Sequence, residues 1–262
     1  MSGDSRQQKL NFEKNKVSKD RIEGAILGAA IGDALGWPQE GHGMRLDGPS
    51  QKKSRKVQIP FQAWRHRAGG RYNGHEENIG EGEYSDDTQL LLATARSLQY
   101  GNKWPRVFYF HELPIWLLYE RGGGGATKRA ARKWLKGIPP WRQEGSQQEY
   151  SVRKYFEAGG NGVAMRVLPH VLLQGQTAEM IRQRVMLNGI STHGHPRALL
   201  GALVYAKAVW FAFQTEGALK FGSFIEYLIE TKDEWAEIPN WETNFDEWWN
   251  AANKYTDGRY TE

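Results

Sequence analysis

Cysteine is absent from the 262-residue chain, which excludes disulfides, thiolate metal sites and thiol catalysis and suits a reducing compartment such as the cytoplasm. Long apolar runs are missing too. The longest near the start, residues 24–36, is interrupted by Asp33 and falls well short of the roughly 20 residues of a bilayer-spanning helix, so no membrane span is expected. Residues 1–19 are polar and charged without an apolar core, unlike a secretory signal, and read as a flexible arm ahead of one domain over residues 20–262. Alternation of period two is nearly absent and no repeat occurs, which disfavours sandwiches, barrels and solenoids and leaves an all-α fold.

What is present fills a sizeable core: 39% of residues are hydrophobic and 12% aromatic. The net charge of +5 is modest, and much of it falls in one basic stretch, Arg45, Lys52, Lys53, Arg55, Lys56, Arg65, Arg67 and Arg71. That stretch reads as a solvated loop, so nucleic acid is a conceivable partner but not the favoured one. The long Gly-rich connection over residues 41–84, with one strand-like piece around 57–64, is expected to be functional or mobile rather than filler.

Helix signals come in order. Asp20 with Glu23 looks like a capping box, and Gly24, Gly28, Gly32 and Gly36 then recur every four residues. Glycine costs about 1 kcal/mol per helix position, so the spacing predicts a central, buried helix approached closely by another backbone. Ile22, Ile26, Leu27, Ile31 and Leu35 would supply its other contacts, and Asp33 would bond a neighbouring helix end. Further helices are expected over residues 86–100, over 107–119 with a break at Pro114, over 128–136 after a Gly-rich connector, over 163–173 capped by Asn161 and kinked at Pro169, and over 198–213. His193 and His195 are too few for a convincing metal site, and Trp235, Trp241, Trp248 and Trp249 mark an aromatic C-terminal part.

The stretch Tyr84-Ser85-Asp86-Asp87-Thr88-Gln89-Leu90 has two readings. Ser85 can cap a helix whose first turn holds Asp86 and Asp87, where negative charge suits the dipole. The same hydroxyl and carboxylates are hard oxygen ligands for a divalent cation such as Mg²⁺.

Four segments together resemble the ADP-ribosylglycohydrolase family: residues 24–36 with Pro38 and Glu40, Ser85-Asp86-Asp87-Thr88-Gln89, Gly160-Asn161-Gly162-Val163-Ala164-Met165-Arg166, and Thr192-His193-Gly194-His195-Pro196. The resemblance implies a compact, mostly orthogonal helical fold around a Mg²⁺ pair in a cleft for ADP-ribose. It implies metal ligation by Ser85, Asp86 and Asp87, a serine standing where threonine is usual. It implies catalytic roles for Glu40 and Asp87, diphosphate and ribose contacts from Gly160, Asn161, Gly162 and Met165, and a nucleotide-sugar contact from His193. Asp33 takes a structural position. The expected substrate is ADP-ribose on a modified protein or other macromolecule. Family members also carry a Gly-Asp-Thr-Asp-Thr-like segment near their ends, and no Asp-x-Asp-Thr follows His195 here. Half of the metal shell is therefore expected to be missing. The chain would then be a shortened form, be completed by a second polypeptide, or bind without cleaving.

Overall fold

The computed structural model describes residues 17–40, 61–68, 74–143, 149–232 and 250. The order is α1 (Lys19–Gly36), a 3₁₀ turn (Trp37–Gln39), β1 (Trp64–Ala68), β2 (His75–Ile79), α2 (Asp86–Leu98), α3 (Trp104–Val107), α4 (Leu113–Trp116), α5 (Gly125–Leu135), α6 (Glu149–Phe156), a 3₁₀ turn (Ala164–Arg166), α7 (Leu168–Leu172), α8 (Ala178–Ile190), α9 (Pro196–Gln214) and α10 (Ser223–Glu230). The fold is all-α, as expected, with one small antiparallel hairpin in which Trp64 pairs with Ile79 and His66 with Glu77. That hairpin lies later than the strand-like piece read from the sequence. The basic stretch before residue 61, the arm before residue 17 and the C-terminal tryptophans lie outside the described residues.

The central helix is α2. Leu90, Leu91, Ala93, Thr94 and Ser97 are buried at helical spacing, and the helix packs on α1, α4, α7 and the Ala164–Arg166 turn. Around it Phe108, Leu113, Trp116, Val163, Leu168, Val185 and Ala202 close the core, each large side chain contributing about 1.5–3 kcal/mol by burial. The expected break at Pro114 does not occur: the backbone stays helical at Val107, Glu112, Leu113 and Leu117, and a π turn at Phe108–Glu112 widens the helix just ahead of the proline. Pro169 likewise starts α7 rather than kinking a longer helix, and Asn161 is not a side-chain cap; its carbonyl accepts from the Met165 N–H at 3.2 Å.

For α1 the expectation fails. A Cβ on Gly24, Gly28, Gly32 or Gly36 would meet nothing within 4 Å among the described residues, and Leu27 and Ile31 are 60% and 48% exposed. The opposite face, Ile22, Ala25, Ile26 and Ala29, rests on the core. Its N-cap is Ser18, two residues ahead of the capping box read from the sequence, and Arg21 donates to the carbonyls of Ala212 and Phe213 at the end of α9. By length and composition alone α9 passes for a membrane-crossing helix, as a core helix also can, and half of it is buried.

Candidate functional site

Asp33, near the end of α1, builds the start of α2. Its carboxylate accepts from the Ser85 N–H at 3.0 and 3.1 Å, the Ser85 hydroxyl at 2.6 Å, the Thr88 N–H at 3.0 Å and the Thr88 hydroxyl at 2.7 Å. Ser85 in turn accepts from the Asp87 N–H at 3.2 Å and is the N-cap. Free N–H groups of the first turn are thereby satisfied and a negative charge sits at the positive end of the dipole. The bond from Asp33 to a neighbouring helix end was legible beforehand.

Asp86 and Asp87 follow in the first turn beside other acids, and the Asp86 carboxylate also accepts from its own N–H. Burial, then the charges of Asp87 and Asp33 and, more weakly, Glu40, push Asp86 up to about 7. Burial, Asp33 and Glu40 push Asp87 up to about 6. Glu40 ends the 3₁₀ turn, exposed, its N–H bonded to the Trp37 carbonyl. Among the described residues no three His, Cys, Asp or Glu side chains converge as a ready metal cluster. The donors present nonetheless fit a hard cation as a partial set. Buried Asp86 and half-buried Asp87 repel each other, Ser85 Oγ keeps a lone pair, and added positive charge would relieve the repulsion.

The second half of the site leans on α2 and α9. Gly160 and Asn161 are exposed, Gly162 and Met165 half-buried, and Arg166 is fully buried beneath them. Arg166 donates through Nε to Asn188 Oδ1 at 2.6 Å, through Nη1 to the Gly162 carbonyl, and through Nη2 to the Asn188 carbonyl at 2.9 Å and Thr192 Oγ1 at 2.8 Å. Burial pulls its pKa down to about 9, while the Asp86 charge acts the other way, so the guanidinium stays charged at neutral pH. Gly162 lies against His193: a Cβ there would come within 2.7 Å of the ring Cε1 and 3.4 Å of Thr127 Oγ1. His195 has a structural part, with Nδ1 accepting from the Arg197 N–H at 3.0 Å as the cap of α9.

The Gly-rich loop before α5 is not a loose connector. Gln89 Nε2 donates to the Tyr119 carbonyl at 2.8 Å, and its Oε1 accepts from Trp116 Nε1 and the Arg121 N–H. Gly122 (φ +79°) sits against the Trp37 indole, and a Cβ on Gly123 would be 2.6 Å from Trp116. Gly124 then opens α5 with no side-chain cap, and Thr127 in its first turn faces Gly162. Thr88, Gln89, Thr127, Asn188 and Thr192 went unassigned from sequence. The signal that could have flagged two of them is a buried Arg166 in an apolar run, which demands acceptors.

The profile of a family described as ADP-ribosylglycohydrolase matches residues 14–259. The chain is 30% identical over 192 residues to the ADP-ribosyl-[dinitrogen reductase] glycohydrolase of Rhodospirillum rubrum, covering 72% of this chain and 57% of that protein. This chain therefore spans little more than half the length of that relative. A solved structure titled ADP-ribosylglycohydrolase-related protein complex shares the fold at a TM-score of 0.50 and 24% identity, over 92% of this chain and 76% of the other. With the profile running across nearly its whole length, and with the helical fold and the motifs at α2 and residues 160–166 in place, the chain belongs to the ADP-ribosylglycohydrolase family.

Proposed function

We propose that this protein hydrolyses the glycosidic bond between ADP-ribose and an acceptor on a modified macromolecule, with Mg²⁺ as cofactor. The observation that carries the reading is the meeting of two unlike half-sites at α2. Asp86 feels Asp87, Asp33 and Glu40, while Arg166, which holds the Gly162 carbonyl, feels the Asp86 charge. Family membership and the modified protein substrate in the printed name of the R. rubrum relative support the substrate class.

Each residue has a part. Gly160 and Asn161 offer exposed backbone, with half-buried Gly162 against Thr127 in the uncapped first turn of α5, a setting suited to a diphosphate. Met165 and His193 border the sugar. Glu40, exposed at the end of its turn, acts as the acid or base at an oxocarbenium-like transition state. Ser85, Asp86 and Asp87 would hold the cation, which supplies charge stabilisation and orientation of ribose hydroxyls and water. Asp87 also keeps the water's proton within reach of a carboxylate.

A second reading has one observation in its favour: no three ligating side chains converge among the described residues. The protein would then recognise ADP-ribose without cleaving it, or share its metal site with another chain. Calorimetry tests the part common to both. ADP-ribose should bind, and adding Mg²⁺ should tighten binding by about tenfold or more, worth roughly 1.4 kcal/mol. No heat with ADP-ribose at millimolar concentration would overturn both readings.

A further inference from the structure

We propose that Thr192 is a positioning residue that locks His193 as the neutral Nε2–H tautomer, so that the imidazole presents only a donor to an acceptor oxygen of a ligand lying over Gly162. The geometry is a one-way chain of hydrogen bonds. Arg166 can only donate, and its Nη2 reaches Thr192 Oγ1 at 2.8 Å. The Thr192 oxygen lies 2.7 Å from His193 Nδ1, and these two are its hydrogen-bond partners among the described residues.

The threonine has a single proton to give. Were Nδ1 protonated, the Thr192 oxygen would accept from both neighbours and its own hydrogen would be buried without an acceptor, since Thr192 is 1% exposed. With Nδ1 bare, every group in the chain is satisfied. The ring proton then sits on Nε2. A doubly protonated ring is disfavoured as well, because burial and the nearby charges of Arg166 and Arg129 push His193 down to about 3.

The other end of the ring is left open. Nε2 has no hydrogen-bond partner among the described residues, yet it is not among the fully enclosed unsatisfied atoms, although His193 as a whole is 3% exposed. Gly162 makes this opening: a Cβ there would stand 3.0 Å from Nε2. Arg166 also holds the Gly162 carbonyl, so one guanidinium sets both the backbone that borders the ligand and, through Thr192, the donor beside it. The ligand part of this inference rests on the ADP-ribose reading above; the tautomer part does not.

The test is long-range ¹H–¹⁵N correlation on the full chain labelled at histidine, without ligand at pH 7, with the His193 signals assigned by their loss in His193→Gln. Wild type should show an unprotonated Nδ1 and a protonated Nε2. Thr192→Val should give a mixture or the opposite tautomer and weaken ADP-ribose binding about tenfold, and Thr192→Ser should restore both. A wild-type His193 protonated at Nδ1 overturns the proposal, as does a folded Thr192→Val that keeps the wild-type tautomer. If Thr192→Val does not fold, the wild-type spectrum alone decides. A locked Nε2–H tautomer in a protein that fails to bind ADP-ribose would sink the functional reading and leave the relay standing.

Discussion

Arg166→Met is expected to lower the melting midpoint by about 10 °C. The methionine fills a similar length of core, but the groups that Arg166 serves remain. Asn188 loses a donor to both its side-chain oxygen and its carbonyl, and the Gly162 carbonyl and Thr192 hydroxyl lose theirs. Burying a lone charge is costly, and replacing a whole ionic group by apolar residues can be harmless. Removing one member while its partners stay buried typically costs about 3–5 kcal/mol. For a domain of this size each kcal/mol moves the midpoint by roughly 2–4 °C. Arg166→Lys should not rescue it, because one ammonium cannot reproduce a planar fork that reaches Gly162, Asn188 and Thr192 together. Scanning calorimetry decides; a shift below about 2 °C would mean that the network is energetically idle.

Asp86→Asn has the opposite sign. In EDTA at pH 8 it should raise the midpoint by about 5–10 °C while abolishing any Mg²⁺ effect. Asp86 is held at about 7 and Asp87 at about 6 in the folded chain, against 3.8 for the unfolded one. Between those values the native state binds more protons than the unfolded state, so stability falls as pH rises. The pair's contribution is full below about pH 4 and is lost as pH climbs through 6 and 7. For Asp86 the displacement corresponds to at most about 4 kcal/mol. Metal-free wild type should therefore melt lower at pH 8 than at pH 5.5, and Asp86→Asn should flatten that slope. Saturating Mg²⁺ should restore wild type at pH 8 through ligation by the same carboxylates. A variant that melts lower than wild type at pH 8 in EDTA would contradict the repulsion argument.

Helices with strong local signals were legible from the residues: Asp86–Leu98 ends two residues short of the expected limit, and Pro196–Gln214 brackets the expected 198–213. Asp33 was legible for a different reason, since a carboxylate inside an apolar run needs donors and a helix end supplies them. The glycine spacing of α1 misled. Gly24, Gly28, Gly32 and Gly36 do share a face, but spacing reports which residues share a face and not which neighbour covers it. The cross-chain part of the site was hidden as well. Thr192 and Asn188 matter because Arg166 folds beneath Gly162, a contact set by tertiary packing between α8 and the 164–166 turn that no local pattern encodes. Gln89 belongs to the motif at residues 85–89, yet its task, holding the loop that opens α5, is visible only when Tyr119, Trp116 and Arg121 surround it.

The most direct measurement is release of free ADP-ribose from a mono-ADP-ribosylated protein by this chain in several millimolar Mg²⁺, repeated with EDTA and with Asp87→Asn. On this reading release should be abolished by EDTA and reduced at least about a hundredfold by Asp87→Asn, which removes both a cation ligand and the carboxylate beside the attacking water. Release that proceeds unchanged in EDTA and in Asp87→Asn would contradict it, because the carboxylates that Asp33 arranges at the head of α2 would then have no part in the reaction.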